Sequence, residues 1–198
     1  MKKDITTTRG LMVGRFQPFH KGHLQLSKQI LRECNELIIA IGSAQFNYIY
    51  KDPFTAGERV LMIHAALLES GLDLAKCYII PIANDENNAR WLGQLKSMVP
   101  HFDVLYSGNE FVKILALQEP IRVKKPFFSK KDVYNGTNIR RHLAAAAAAD
   151  TASSNTPRKK SQNWKVLVPN AVSRLIEEID GVNRIKILLE SDSNPQQW

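Results

Sequence analysis

At 198 residues and 44% apolar content, the chain is long enough for one α/β domain with a sizeable core, and its composition excludes a disordered or fibrous protein. A formal net charge of +8 suits anionic partners without saying whether they are nucleotides, nucleic acid or a membrane surface. Cys34 and Cys77 are isolated, which excludes a disulfide framework; no apolar signal core and no run near the roughly 18 apolar residues of a membrane span is seen, so a cytoplasmic protein is expected.

Residues 1–9 are polar and read as a loose lead-in. Gly10 to Val13 reads as a short buried strand. The loop Gly14-Arg15-Phe16-Gln17-Pro18-Phe19-His20-Lys21-Gly22-His23 follows, punctuated by Pro18 and Gly22. Leu24 to Cys34 then reads as a helix with Leu24, Ile30 and Leu31 inward and Lys28 and Arg32 outward. His20 and His23 thus stand three residues apart at a helix entrance, where free N–H groups and the helix dipole favour an anion. Imidazoles held there can donate hydrogen bonds to a phosphate as its charge rearranges. A zinc half-site would want a His-Glu-x-x-His or paired cysteines beside them, and neither is present, so no protein metal site is expected.

Leu37-Ile38-Ile39-Ala40-Ile41 is the continuous apolar run of a central parallel strand. A strand–helix–strand unit with an anion loop after its first strand predicts a Rossmann-like, doubly wound parallel sheet with ligands at the carboxyl ends of the strands. Neither Gly-x-Gly-x-x-Gly nor the Walker loop occurs, so histidines, arginines and a helix end must replace the usual glycine cradle.

Residues 46–53 form a polar and aromatic loop. Thr55 and Glu58 have capping-box spacing for a second helix, whose apolar face is Val60, Ile63 and Leu67, widened by Leu61 and Leu68. Cys77 to Ile82 is the third strand. Beyond its carboxyl end, Trp91 offers a flat face to a cationic ring and Asn88 both donor and acceptor to a carboxamide, although Trp91 could equally pack as a helix-face core residue. Asp85 and Glu86, adjacent in sequence, are expected to point apart into solvent.

Phe102 to Asn109 reads as the fourth strand and its turn, Val112, Leu115 and Leu117 as the filling of a short helix, and Ile121 to Val123 as an edge strand. Tyr134-Asn135-Gly136-Thr137-Asn138-Ile139-Arg140-Arg141 then places a small hydroxyl residue and exposed N–H groups at a helix entrance with an arginine one turn in, which suits a polyphosphate. A simple N-cap at Thr137 and a surface arginine at Arg140 are the plainer alternatives. Ala144 to Ala149 is a strong helix former. Residues 150–162 read as a flexible polar insertion in a single domain spanning 1–198, and Lys159 and Lys160 as a solvated face. Trp164 to Val168 resumes the fold. Pro169 is expected as a first helical residue, Val172, Leu175, Ile176 and Ile179 as one face, Gly181 as the helix end, Val182 to Leu189 as a closing helix, and the last nine residues as frayed.

The string from Gly14 to His23 resembles the His-x-Gly-His signature of the nucleotidyltransferase superfamily, and at its full length it is similar to archaeal-type nicotinamide-nucleotide adenylyltransferases. Pro53 to Arg59, Asn88 to Trp91, Tyr106 to Asn109 and the Thr137 to Arg140 helix start carry the same resemblance, which spans roughly 10–143 and 164–188. It implies adenylyl transfer from ATP to nicotinamide mononucleotide, giving NAD and pyrophosphate. It implies His20, His23, Arg15 and Arg140 as catalytic residues. ATP contacts would also come from Gly14, Phe16, Gly22, Ser107, Gly108, Asn135 and Thr137. Phe16, Lys51, Asn88 and Trp91 would meet the mononucleotide, with Lys51 at its phosphate. Mg²⁺ would be bound through the ATP phosphates. A homo-oligomer, often a hexamer, is implied, with no nucleic-acid or membrane partner. Asn84 stands where the family usually has Asp, Asn135 where it has Ser, and the 150–162 segment is much longer than in the archaeal relatives. The competing readings are another His-x-Gly-His transferase acting on flavin mononucleotide, phosphopantetheine or CTP, and a non-catalytic nucleotide-binding protein. Asn88 and Trp91 argue against the first, and His20, His23 and Arg140 against the second.

Overall fold

Two adjacent strands set the architecture. β1 (Arg9–Gly14) and β2 (Glu36–Ile41) run parallel, with Leu11 opposite Ile38 and Met12 opposite Ile39. Side chains alternate across a strand, so Leu11, Ile38 and Ala40 enter one core and Met12, Leu37, Ile39 and Ile41 enter the other. From Leu37 to Ile41, β2 is apolar without interruption because both of its faces are covered. Burying each such side chain contributes about 1.5–3 kcal/mol relative to leaving it in water.

The computed structural model describes residues 7–85, 87–117, 120–127, 132–151 and 163–191. β3 (Cys77–Pro81) pairs beyond β2, and β4 (Val104–Tyr106) and β5 (Arg122–Lys124) continue the sheet on the other side of β1. All pairs are parallel, in the order β3-β2-β1-β4-β5. Helices α1 (Lys21–Glu33), α2 (Ala56–Glu69) and α3 (Trp91–Met98) precede β4, and α4 (Glu110–Ala116) links β4 to β5. α5 (Gly136–Thr151), α6 (Asn170–Glu178) and α7 (Gly181–Glu190) close the chain against the core that holds α1 and α2, while α3 and α4 cover the opposite core. This is the expected Rossmann-like, doubly wound α/β sheet with C-terminal helices.

The Thr55–Glu58 capping box forms as the spacing predicts, each side chain accepting the other residue's backbone N–H. Several local expectations need correction. α1 begins at Lys21 and buries Ser27 and Gln29 with Ile30, while Leu24 and Leu31 are only half-buried. On α2 the buried face is Arg59, Met62, Ile63, Ala66 and Leu67. Leu61 and Leu68 are each 59% exposed, because they lie on the flank turned from the sheet. Leu117 ends α4 83% exposed, and Ala116 fills the core in its place. Pro169 caps α6 instead of starting it. Gly181 opens α7: Asp180, at φ 52°, makes the left-handed turn, and a side chain on Gly181 would meet the Ile176 carbonyl at 3.0 Å. Helix α5 carries the alanine run through Thr151, past the expected start of the insertion at 150. Cys34 is buried, Cys77 half-buried, and both are free thiols. The lead-in before Thr7, Glu86, the remainder of the 150–162 segment with Lys159 and Lys160, and the terminus after Ser191 lie outside the described residues.

Candidate active site

β1 is where the strand order reverses, with β2 on one side and β4 on the other. Loops leaving such neighbours diverge and open a crevice at their carboxyl ends. A cleft of about 520 Å³ lies there. It is walled by Arg15 and Phe16 after β1, by His20, Gly22 and His23 at the entrance of α1, by Ser107 and Gly108 after β4, and by Asn135, Thr137 and Arg140 at the entrance of α5. Two helix entrances more than a hundred residues apart in sequence therefore face one cavity.

The two imidazoles form the first entrance. His20 is the N-cap of α1, and its Nδ1 accepts the His23 backbone N–H at 3.3 Å; His23 Nδ1 accepts the His20 backbone N–H at 3.3 Å. This is a capping box built from two histidines, with rings stacked 3.5 Å apart. Accepting at Nδ1 assigns the proton to Nε2 in each neutral ring. His23 is also enclosed by Phe16 and Phe19, at 4.7 and 5.4 Å between centroids. Burial pushes the His20 pKa down to about 3 and His23 well below its ordinary value, helped at His23 by the neighbouring His20. At neutral pH the pair is two uncharged Nε2–H donors.

The second entrance is tied to the first by Arg140. Its Nη1 donates to the Gln17 carbonyl at 2.8 Å and its Nη2 to Thr137 Oγ1 at 3.3 Å. Its Nε is buried without a hydrogen-bond partner among the described residues. Burial lowers the guanidinium's pKa, repulsion from Arg15 adds to this, and Asp52 opposes it. A buried cation so placed is stabilised by an anionic ligand. Arg140 is thus a buried residue on the cleft wall and not a surface arginine. Asn135 caps α5 by accepting the Asn138 N–H at 2.7 Å, so Thr137 is not the N-cap but sits inside the first turn. Gly136 has no room for a side chain, since a Cβ would lie 3.0 Å from the Gln17 carbonyl oxygen and 3.1 Å from Arg140 Nη1.

The remaining expected residues lie elsewhere. Gly14 ends β1 beside the cleft. Lys51 and Asn88 are exposed and do not line the cleft. Trp91, half-buried at the start of α3, lines a second, smaller pocket with Val13, Gly42, Asn84 and Gln94 at the carboxyl ends of β1 to β3. Asn84 braces that pocket, accepting the Ser43 N–H at 3.0 Å and donating to Ser43 Oγ at 2.9 Å. Asp85 pairs with Arg90 at 3.0 Å.

Sequence reasoning missed one residue altogether. Arg59, read only as part of a helix entry, is fully buried. Its guanidinium donates to the carbonyls of Thr55, Arg15, Gly42, Ser43 and Ala44, at 3.0–3.5 Å. It therefore staples the loops after β1 and β2, from beneath the cleft. Gln17 adds to this, exchanging hydrogen bonds with the Phe54 backbone at 2.9 and 3.0 Å.

Among the described residues no carboxylate lines the cleft, and no group of three or more His, Cys, Asp or Glu could hold a metal ion. No helix among them is long and apolar enough to cross a membrane.

Known proteins resemble this chain in sequence and in fold. The cytidylyltransferase-like family model matches residues 11–160. The nicotinamide-nucleotide adenylyltransferase of Caldivirga maquilingensis is 42% identical over 96% of this chain and 99% of its own length. That of Pyrobaculum arsenaticum is 43% identical over the same shares. Among solved structures, the bifunctional NMN adenylyltransferase/ADP ribose pyrophosphatase of Francisella tularensis, complexed with AMP and a manganese ion, superposes with a TM-score of 0.68 at 22% identity. The likeness covers 93% of this chain and 52% of that one. The nicotinic acid mononucleotide adenylyltransferase of Plasmodium falciparum superposes with a TM-score of 0.59 at 11% identity, over 89% and 98% of the two chains. Sharing two-fifths of its residues with these archaeal enzymes from end to end, the chain belongs to the nicotinamide-nucleotide adenylyltransferase family, within the cytidylyltransferase-like nucleotidyltransferases.

Proposed function

We propose that the chain transfers the adenylyl group of ATP to nicotinamide mononucleotide, forming NAD and pyrophosphate. An oxygen of the mononucleotide's 5′-phosphate attacks the α-phosphorus of ATP. The bond from that phosphorus to the oxygen bridging it to the β-phosphorus breaks, and pyrophosphate leaves. The phosphate is itself the nucleophile, so the protein has only to align the reactants and stabilise the charge that moves onto the leaving group.

The observation that carries this reading is the pair of imidazoles locked as Nε2–H donors in the same cleft as Arg15 and Arg140. Donors whose tautomer is fixed in advance need no reorganisation as charge develops. In this reading His20 and His23 donate to the ATP phosphates, Arg15 and Arg140 hold the triphosphate, and Asn135 and Thr137 present the N–H groups of α5 to it. Gly14, Phe16, Gly22, Ser107 and Gly108 shape the nucleotide site. Trp91 and Asn88 receive the nicotinamide, and Lys51 approaches the mononucleotide phosphate as a point charge. A cleft without carboxylates suits a Mg²⁺ ion that arrives with ATP, on the phosphates, as part of the substrate. The working form is then a cytoplasmic homo-oligomer, hexameric by likeness to the family, acting without nucleic acid or membrane; light scattering tests its size.

The direct test is pyrophosphate release from MgATP with a panel of acceptors. Release with nicotinamide mononucleotide, and much less with flavin mononucleotide or phosphopantetheine, supports the reading. No release with any acceptor overturns it.

A further inference from the structure

Asp52 is 3% exposed, and it is the carboxylate that stands among the arginines of the site. Its two oxygens lie 3.3 and 3.4 Å from Arg15 Nη1. Among the described residues, this is the bond that holds the Arg15 guanidinium; Nε and Nη2 make none. The Arg15 side chain is partly exposed, at 38%, and lines the cleft, whereas the Asp52 side chain is almost wholly enclosed and does not line it. Asp52 is itself fixed by a tight backbone bridge, its N–H donating to the Ile49 carbonyl at 2.9 Å. A rigid buried anion thus grips one edge of a partly exposed cation and leaves the other edge turned to the cleft.

We infer that Asp52 is a positioning residue for adenylyl transfer: its carboxylate holds one nitrogen of the Arg15 guanidinium so that the remaining N–H groups face the polyphosphate. The inference rests on the reading of the cleft as the ATP phosphate site. An arginine held at one edge keeps its planar fork oriented before the ligand arrives, and little side-chain entropy is then lost on binding. The same carboxylate also offsets charge more widely. Burial lowers the pKa of both Arg59 and Arg140, and Asp52 opposes that lowering in each. Without it, Arg15 and Arg140 on the cleft wall and Arg59 beneath it would lose the buried carboxylate that offsets their charge.

A double-mutant cycle tests the coupling. Asp52→Asn is close to isosteric but removes the charge. It is expected to lower kcat about tenfold, the scale of one misplaced charge-assisted hydrogen bond, and to raise KM for ATP, because the fork is no longer oriented before binding. Arg15→Ala should itself lower kcat/KM for ATP at least tenfold, about the loss of one phosphate-binding fork. In the Arg15→Ala background, Asp52→Asn should then change kcat less than about twofold, because the group it positions is gone. An equal loss in both backgrounds, or no loss in either, overturns the inference while leaving the phosphate site in place. An Arg15→Ala enzyme as active as the parent overturns the phosphate reading itself. Should Asp52→Asn fail to fold, as judged by thermal melting, the same cycle is run with Asp52→Ser.

Discussion

His20 and His23 stack with 17° between their ring planes, and each ring caps the backbone N–H of the other. One arrangement thus serves the fold and the proposed chemistry together. It pairs the His20 and His23 backbone N–H groups at the start of α1, and it fixes both rings as Nε2 donors.

The first prediction concerns pH. Because burial holds His20 near 3 and His23 well below its ordinary value, activity should show no step near the usual imidazole value between about pH 8 and about pH 5. Stability should behave differently. His20 takes up its proton near 6.5 in the unfolded chain and only near 3 in the folded one, and His23 is shifted in the same direction, so the unfolded state binds more protons in between. The stability contribution is complete above about pH 6.5 and is lost as pH falls through that window. Urea midpoints across the range, together with kcat, check both halves. A kinetic step near 6.5 that disappears in His20→Ala would contradict the locked neutral pair.

Cap and donor can be separated. Asn is among the best N-cap residues, so His20→Asn should keep the α1 cap and cost no more than about 1 kcal/mol. It has no Nε2–H at the required place, so turnover should fall about a hundredfold or more, as for loss of a transition-state donor. A variant that melts like the parent and turns over like it would remove His20 from the chemistry.

How far all this could be read from the chain depends on how local each signal is. The run Leu37 to Ile41 and the Thr55–Glu58 box carry their structure within a few residues, and both form as expected. The histidine cap was not legible, because His is not a preferred cap and its role depends on a partner ring held by Phe16 and Phe19. Arg59 was not legible either, since four of its five acceptors come from two loops that meet only when β1 and β2 pair. Leu61 and Leu68 extend an apolar face by period alone, but which flank of α2 is covered is decided by the sheet and by α6. The phosphate-side residues were readable as two helix entrances; that Arg140 joins them through the Gln17 carbonyl is a tertiary fact.

Arg59 itself gives the third prediction. Arg59→Met keeps most of the volume and strips five carbonyls of their donor, so it should cost about 3 kcal/mol or more. A lower urea midpoint at unchanged m-value measures this. A loss under about 1 kcal/mol would mean that water replaces the guanidinium and that the loops do not depend on it.

Gly136 offers a test at the second entrance. Gly136→Ala would place a Cβ against the Gln17 carbonyl and Arg140 Nη1, at 3.0 and 3.1 Å, both tighter than ordinary contact. Alanine is otherwise the better helix former, so the helix alone would be stabilised. The expected result is an enzyme that melts within a few degrees of the parent with kcat/KM for ATP lowered about tenfold, the scale of one displaced charge-assisted bond. Unchanged kinetics would show that Arg140 can leave the Gln17 carbonyl at no cost to the reaction.

The last prediction separates the two substrates. Trp91 lies outside the cleft that holds His20, His23 and Arg140, and lines the smaller pocket at the ends of β1 to β3. In the proposed function the nicotinamide ring lies against the indole, whose face then stabilises its positive charge, worth about 0.5–2 kcal/mol by cation–π attraction. Trp91→Ala should therefore raise KM for the mononucleotide several-fold and leave KM for ATP within about twofold. Because the pocket is small and partly walled by core residues such as Leu95, some loss of stability will accompany it, and melting must be followed in parallel. Equal increases in both constants would mean that the tryptophan serves α3 packing alone, and the acceptor ring would have to be sought elsewhere along the cleft.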